Sequence, residues 1–210
     1  MKNLIIIGAG GFGREAADAA IQAIGYQTEF CLKGFLDARP EALADYASLP
    51  PIIGTPEDYV PQADDVFFCA LGNLAARRRC VQLVKAKGAK FQSIIDKTAR
   101  IGSRTHLGEG VFVASGVSIT VDCSVGDFTC IFHNSSIGHN VQIGAYSHVY
   151  ALVSIGGDVQ IGEEVSIYPG SVIVPRRKIG KCAVVGAGSS VFLSVPEACR
   201  VMGNPAEPVD

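Results

Sequence analysis

Hydrophobic positions along the chain follow two different rules, and the change falls near residue 95. From Ile101 onward, sixteen successive positions six apart, through Leu107, Val113 and Ile119 to Val185 and Val191, are all Ile, Leu or Val, without an insertion. The position after each aliphatic is Gly in nine of the sixteen hexads. Four after it comes a small or β-branched residue, as at Thr105, Val117 and Cys123, with Arg177 the clear exception. Period six is neither the 3.6 of a helix nor a plain alternation. It predicts short strands separated by sharp bends, with glycine relieving the backbone strain of turning. Three such sides close a triangular coil of eighteen residues, and coils stack about 4.8 Å apart. Sixteen hexads therefore predict a β-helical prism of a little over five coils, roughly 25 Å tall, with Ile119, Ile137, Ile155 and Ile173 stacked along its axis. A sandwich with irregular turns would not keep phase over such a length.

Residues 1–95 read as an α/β unit. NLIIIGAGGFGREAADAAIQA predicts a buried strand, a glycine turn and a helix, and Gly8, Gly10 and Gly13 satisfy GxGxxG in that context. FCLKGFLDA and DDVFFCALGN predict two further strands, LAARRRCVQLVKAKG a helix ended by Gly88, and KFQSII a fourth strand. One mononucleotide-binding half fits in this length, whereas a full dinucleotide fold needs two. A nucleotide or nucleotide-sugar is thus a better ligand than NAD, and the glycine motif also stands as a purely structural turn.

Composition narrows the class. Lys plus Arg number 18 against 20 Asp plus Glu, with no basic run for nucleic acid and no basic amphipathic helix for a membrane surface. Seven scattered Cys without a CxxC pair point to free thiols in a reducing compartment. No span is long enough to cross a bilayer and no signal sequence opens the chain, so the expectation is a cytoplasmic protein.

Candidate chemistry gathers in HNSSIGHNVQIGAYSH, residues 133–148, which holds three of the four histidines. His133 and His139 occupy the same place in consecutive hexads and so belong to different sides of the triangle. The hexapeptide-type carbonic anhydrases place two histidines five apart; no such pair exists here, and no metal is expected.

The motifs IIIGAGGFGRE, GFLDA, GTPEDY, ALGN before an Arg-rich helix, IIDKTARIG, SSIGHNVQIGAYSH and VMGNPAEPV occur in that order. In them the chain resembles the hexapeptide-repeat acyltransferases. Within these it is similar to the acetyltransferases of nucleotide-linked amino sugars, with the sialic acid O-acetyltransferases beside them. The resemblance implies a Rossmann-like nucleotide-sugar-binding domain, 1–95, and a left-handed parallel β-helix, 96–210. It implies a cytoplasmic homotrimer for surface glycan synthesis that binds acetyl-CoA as co-substrate between subunits, without a bound cofactor. His139 matches the general base, and a neutral imidazole suits removal of a proton from an attacking amine or hydroxyl. Gly157, one coil on, is the candidate oxyanion donor, and Asn140 the residue that orients the base. His148, Gly157 and Ala187 would contact acetyl-CoA; Gly11, Phe12, Gly13, Asp37, Gly54 and Phe132 would contact the nucleotide or acceptor. N-acetylation of a nucleotide amino sugar, O-acetylation of a free sugar, and a non-catalytic scaffold are the three readings that follow.

Several residues depart from the family pattern. Asn140 stands where a carboxylate usually follows the base, so the ring can be oriented through an amide oxygen but receives no charge. Gly138 replaces a common acid, Phe12 a frequent His, and Phe132 an Asn. Phe132, Tyr150 and Tyr168, eighteen apart, predict an aromatic ladder, read either as stiffening, as a cleft wall near His139 and His148, or as a subunit interface. Arg177, in PRRK, cannot stay buried unpaired, so the last coils are expected to flare there. Those basic residues, with Lys181, form either a solvated corner or a contact to CoA phosphates. Cys130, stacked under His148, reads as filler.

Overall fold

The computed structural model describes residues 1–209 and divides into two units, Met1–Asp96 and a second that begins at Lys97. In the first, β1 (Lys2–Ile7), β2 (Phe30–Leu36), β3 (Ile52–Gly54), β4 (Asp65–Cys69) and β5 (Lys90–Phe91) form a parallel sheet in the order β3-β2-β1-β4-β5. The central strand is covered on both faces, which is why Leu4, Ile5, Ile6 and Ile7 run without polar alternation and are all buried. Helix α1 (Gly11–Ile21) buries Gly13, Ala16, Ala17 and Ala20. Small residues let it lie close to the sheet: a Cβ on Gly13 would sit 1.9 Å from the Gly8 carbonyl oxygen. Helix α2 (Leu74–Ala86) starts at Asn73, whose side chain accepts from the Ala76 N–H, and is followed by Gly88 at φ +82. The expected strand KFQSII is in fact two short pieces, β5 and Ile94–Ile95. Strand β3 was not signalled by any alternating pattern.

The second unit is a parallel β-solenoid. Sixteen two-residue strands, from Arg100–Ile101 to Ser190–Val191, pair at a spacing of eighteen: Ile119↔Ile137, Ile137↔Ile155, Ile155↔Ile173. These four isoleucines are at most 2% exposed, so the predicted axial stack and the count of just over five coils both hold. Where the small-residue position carries a hydroxyl, it ties coils together. Ser147 Oγ donates to Gly162 O at 3.0 Å and accepts from Val165 N at 3.1 Å, and Ser135 and Thr129 repeat the pattern.

Two expectations about this unit are corrected. The glycine after each aliphatic does not provide the turning conformation. Left-handed φ, near +60°, falls two residues later, mostly on non-glycine residues such as Arg104, Asp122, Asn140 and Asp158. The glycine is there because the next coil presses on it: a Cβ on Gly144 would lie 2.5 Å from Glu163 N, and one on Gly138 2.6 Å from Gly157 N. Nor do the last coils flare at Arg177. Ile161 and Ile179 keep their register, and Arg177 turns its Nε back to the Pro175 carbonyl at 3.1 Å. The side above is shortened instead: Ile179 bridges Val195, sixteen residues on rather than eighteen.

Candidate active site

In the first unit, a cavity of about 270 Å³ opens at the carboxyl end of the sheet, lined by Gly8, Asp37, Arg39, Glu57, Leu71 and Cys80 among others. Asp37 follows β2 and is buried. Its Oδ2 accepts from Ala9 N at 2.7 Å and Arg39 Nη2 at 2.9 Å; its Oδ1 accepts from Arg39 N and Nε, both at 3.0 Å. Burial alone would push this carboxyl up, but the Arg39 guanidinium and the two backbone N–H groups outweigh it and hold it at about 2. Gly54 O accepts the Asp37 N–H. Gly11 and Gly13 open α1, and the Phe12 ring packs edge-on against Phe68, 6.1 Å between centroids. Gly8, Asp37 and Gly54 are thus gathered at one end of the sheet. Arg39, which no motif singled out, completes the group.

In the second unit, His139 and Gly157 lie one coil apart at the same corner, after the side that carries Ser136–Ile137 and Ser154–Ile155. Asp158 N donates to His139 O at 2.9 Å, fixing the register. The imidazole lies against Gly157: a Cβ there would be 2.6 Å from both Cε1 and Nε2 of the ring. The Gly157 N–H donates to no protein group among the described residues. A corner N–H of this kind donates to an anionic oxygen elsewhere in the fold: Glu109 N donates to the Asp127 carboxylate at 2.9 Å. On the other side of the ring, His139 Nδ1 and Asn140 Oδ1 are 3.3 Å apart. Asn140 Oδ1 can therefore accept a hydrogen bond from Nδ1–H and leave Nε2, on the Gly157 side of the ring, as the basic nitrogen. One coil below Asn140 is Asp122, paired with Arg104 at 2.5 and 2.9 Å. That guanidinium holds Asp122 below the usual carboxylate range, and the His139 ring acts in the same direction.

The aromatic ladder forms as expected. Phe132 stacks on Tyr150 at 5.3 Å and Tyr150 on Tyr168 at 5.0 Å. It covers His148, which is buried, meets both Phe132 and Tyr150 edge-on, and has Nδ1 3.4 Å from the Tyr150 hydroxyl. Cys130 is buried in register with it. The ladder follows the side that carries Cys130–Ile131 and His148–Val149, whereas His139 follows the next side of the triangle. The expected closeness of ladder and His139 therefore fails within one chain, because the two occupy different edges of the prism. Ala187 lies at the ladder's edge and lines a cavity of about 440 Å³ with Tyr168, Gly186, Arg200 and Met202. Among the described residues, no three His, Cys, Asp or Glu are grouped to hold a metal ion, and no helix is long and apolar enough to cross a membrane.

These features define a class: a Rossmann-like unit followed by a parallel β-solenoid of hexapeptide-repeat type. Residues 3–84 match the PglD N-terminal domain family. No curated protein sequence matches the chain. Among solved structures, the acetyltransferase domain of PglB from Neisseria gonorrhoeae is similar over all of both chains, with a TM-score of 0.90 and 25% identity. PerB from Caulobacter crescentus, in complex with CoA and GDP-perosamine, is similar over 100% of this chain and 98% of its own, with a TM-score of 0.87 and 25% identity. WeeI from Acinetobacter baumannii shares the fold over both full chains, at a TM-score of 0.72 and 22% identity.

Proposed function

We propose that the chain is an acetyl-CoA-dependent acetyltransferase that N-acetylates a nucleotide-linked amino sugar for surface glycan synthesis in the cytoplasm. The observation that carries this is the His139 ring lying over Gly157, whose N–H donates to no protein group among the described residues. The acceptor amine attacks the thioester carbonyl. His139 Nε2 takes the amine's proton, while Asn140 Oδ1 holds the Nδ1–H and so fixes the tautomer. The tetrahedral oxyanion takes a hydrogen bond from the Gly157 N–H. Collapse expels CoA as thiolate and leaves the amide. The acceptor's nucleotide would be held around the glycine turn, by Gly11, Phe12, Gly13 and Gly54 with Asp37 behind them, and the acetyl end flanked by Phe132.

His148 and Ala187, the acetyl-CoA contacts, belong to a different edge from His139. A complete site thus draws His139 from one copy and the ladder edge from a neighbour, which the closed symmetry of a homotrimer supplies. His139→Ala tests the base: kcat should fall by about 10²–10⁴, while the affinity for CoA stays nearly the same. Unchanged turnover rejects the role. One observation favours a second reading, O-acetylation of a free sugar: Phe12 brings an apolar ring to the nucleotide loop and packs it on Phe68. A melting temperature that neither UDP nor GDP shifts would support that reading over the first.

A further inference from the structure

In the dinucleotide-binding pattern, a carboxylate at the end of the second strand reads a ribose hydroxyl. Asp37 stands in that position, but four donors already engage its two oxygens: Ala9 N, Arg39 N, Arg39 Nε and Arg39 Nη2. A carboxylate has about four acceptor sites, so a ribose hydroxyl would have to displace one of these bonds in a buried setting. The guanidinium it holds is in the opposite condition. Two of its five N–H groups face Asp37, the side chain is 60% exposed, and the other three carry no protein partner among the described residues. Arg39 lines the cavity of about 270 Å³ together with Gly8. Its Nη2 lies 3.9 Å from where a Gly10 Cβ would be, beside the glycine turn that leads into α1. A planar, always charged fork clamped over a glycine backbone suits a phosphate oxygen far better than a neutral hydroxyl.

We propose that Asp37 does not read the nucleotide but serves as the anchor of Arg39, and that the Arg39 guanidinium binds the diphosphate of the acceptor. This rests on the nucleotide-sugar reading above and deepens it: affinity would be set by the phosphates rather than by the ribose hydroxyls. Asp37 is then a positioning residue and Arg39 the ligand contact.

Calorimetry on the full chain with UDP and GDP, their monophosphates, and their 2′-deoxy and 3′-deoxy forms separates the possibilities. For the wild type, the deoxy diphosphates should bind within a few-fold of the parent. Loss of the β-phosphate should cost about ten- to a hundredfold, the size of one or two charge-assisted hydrogen bonds. Arg39→Ala should bring diphosphate and monophosphate to similar affinity, and Arg39→Lys should restore part of the difference. Asp37→Asn should lose the same discrimination while CoA affinity is unchanged, and combining it with Arg39→Ala should add little further. The inference is overturned if Arg39→Ala leaves the diphosphate-to-monophosphate ratio intact, or if a deoxy form loses about tenfold or more on the wild type. If the wild type binds no nucleotide at all, CDP, dTDP and ADP included, the underlying reading has failed, and the inference with it.

Discussion

Gly157→Ala separates the candidate chemistry from the fold. Glycine 157 does not have a left-handed φ, so alanine meets no backbone strain there. The added methyl would lie 2.6 Å from His139 Cε1 and Nε2 and 3.1 Å from Cδ2, against a comfortable carbon contact of about 3.5–4.0 Å. The ring must therefore retreat by about 1 Å. It can do so, because His139 is exposed and its displacement costs about 0.5–1.5 kcal/mol. A misplacement of that size at a reacting group is worth about 10²-fold in rate. Gly144→Ala is the matched contrast: its methyl would lie 2.5 Å from Glu163 N and Gly162 C, backbone atoms of the next coil that cannot swing aside. Overpacking of that kind costs about 1–3 kcal/mol, or about 2–4 °C per kcal/mol in a chain of this size. Thiol release from acetyl-CoA measures the first variant and thermal melting both. Gly157→Ala should lose turnover and keep its melting temperature; Gly144→Ala should lose melting temperature. Full turnover in Gly157→Ala would refute the placement of the base, and a melting loss equal to that of Gly144→Ala would refute the claim that the ring absorbs the clash.

Two further outcomes are expected. Ser147→Ala removes a buried hydroxyl that bonds Gly162 O and Val165 N on the next coil; denaturant unfolding should show a loss of about 1–3 kcal/mol, whereas an unchanged midpoint would mean that the hydroxyls do not staple the coils. Asp37 should impose an acid limit on the first unit. Its carboxyl is lowered from 3.8 to about 2, so its contribution is complete above the unfolded value and is lost as pH falls from about 4 to about 2. Nearly two units correspond to about 2 kcal/mol, and stability measured across that window should depend less on pH by this amount in Asp37→Asn.

The solenoid was legible because its side chains repeat in phase with the coil: eighteen-residue spacing alone placed Ile119 on Ile137, Phe132 beneath Tyr150, and His139 beside Gly157. The same arithmetic holds the edge assignment. Positions 132 and 139 differ by seven, more than one hexad, so the ladder and His139 fall on different sides. What spacing could not say is why a residue type recurs. Glycine after each aliphatic is compatible with a turning backbone or with close approach, and only the contact of Gly138 with Gly157 N decides for the latter. The shortened coil above Arg177 had a signal, the step of four from Val191 to Val195 where six is the rule. Arg39 had none. Its contact with Asp37 is local, two residues apart, but its place at the cavity beside the Gly10 turn depends on the packing of β1 against β2, which no motif encodes.

Asn140 bears on the choice between nitrogen and oxygen as the acetylated atom. A hydroxyl is a poor nucleophile until its proton is leaving, so an O-acetyltransferase needs its base to act during attack. A neutral amine already has a free lone pair. It can attack first and lose its proton afterwards from the positively charged tetrahedral adduct, a far stronger acid. The corner at His139 is suited to the second task. Its imidazole Nδ1 faces an amide oxygen at 3.3 Å, which favours the tautomer with the proton on Nδ1. Asp122, one coil below Asn140, is engaged by Arg104 Nε and Nη2, and position 140 itself offers the ring an amide instead of a charge. A site built this way orients a proton acceptor without reinforcing it. That arrangement is adequate for an amine acceptor and a handicap for an alcohol, and the substitution at position 140 thereby argues for N-acetylation rather than against catalysis.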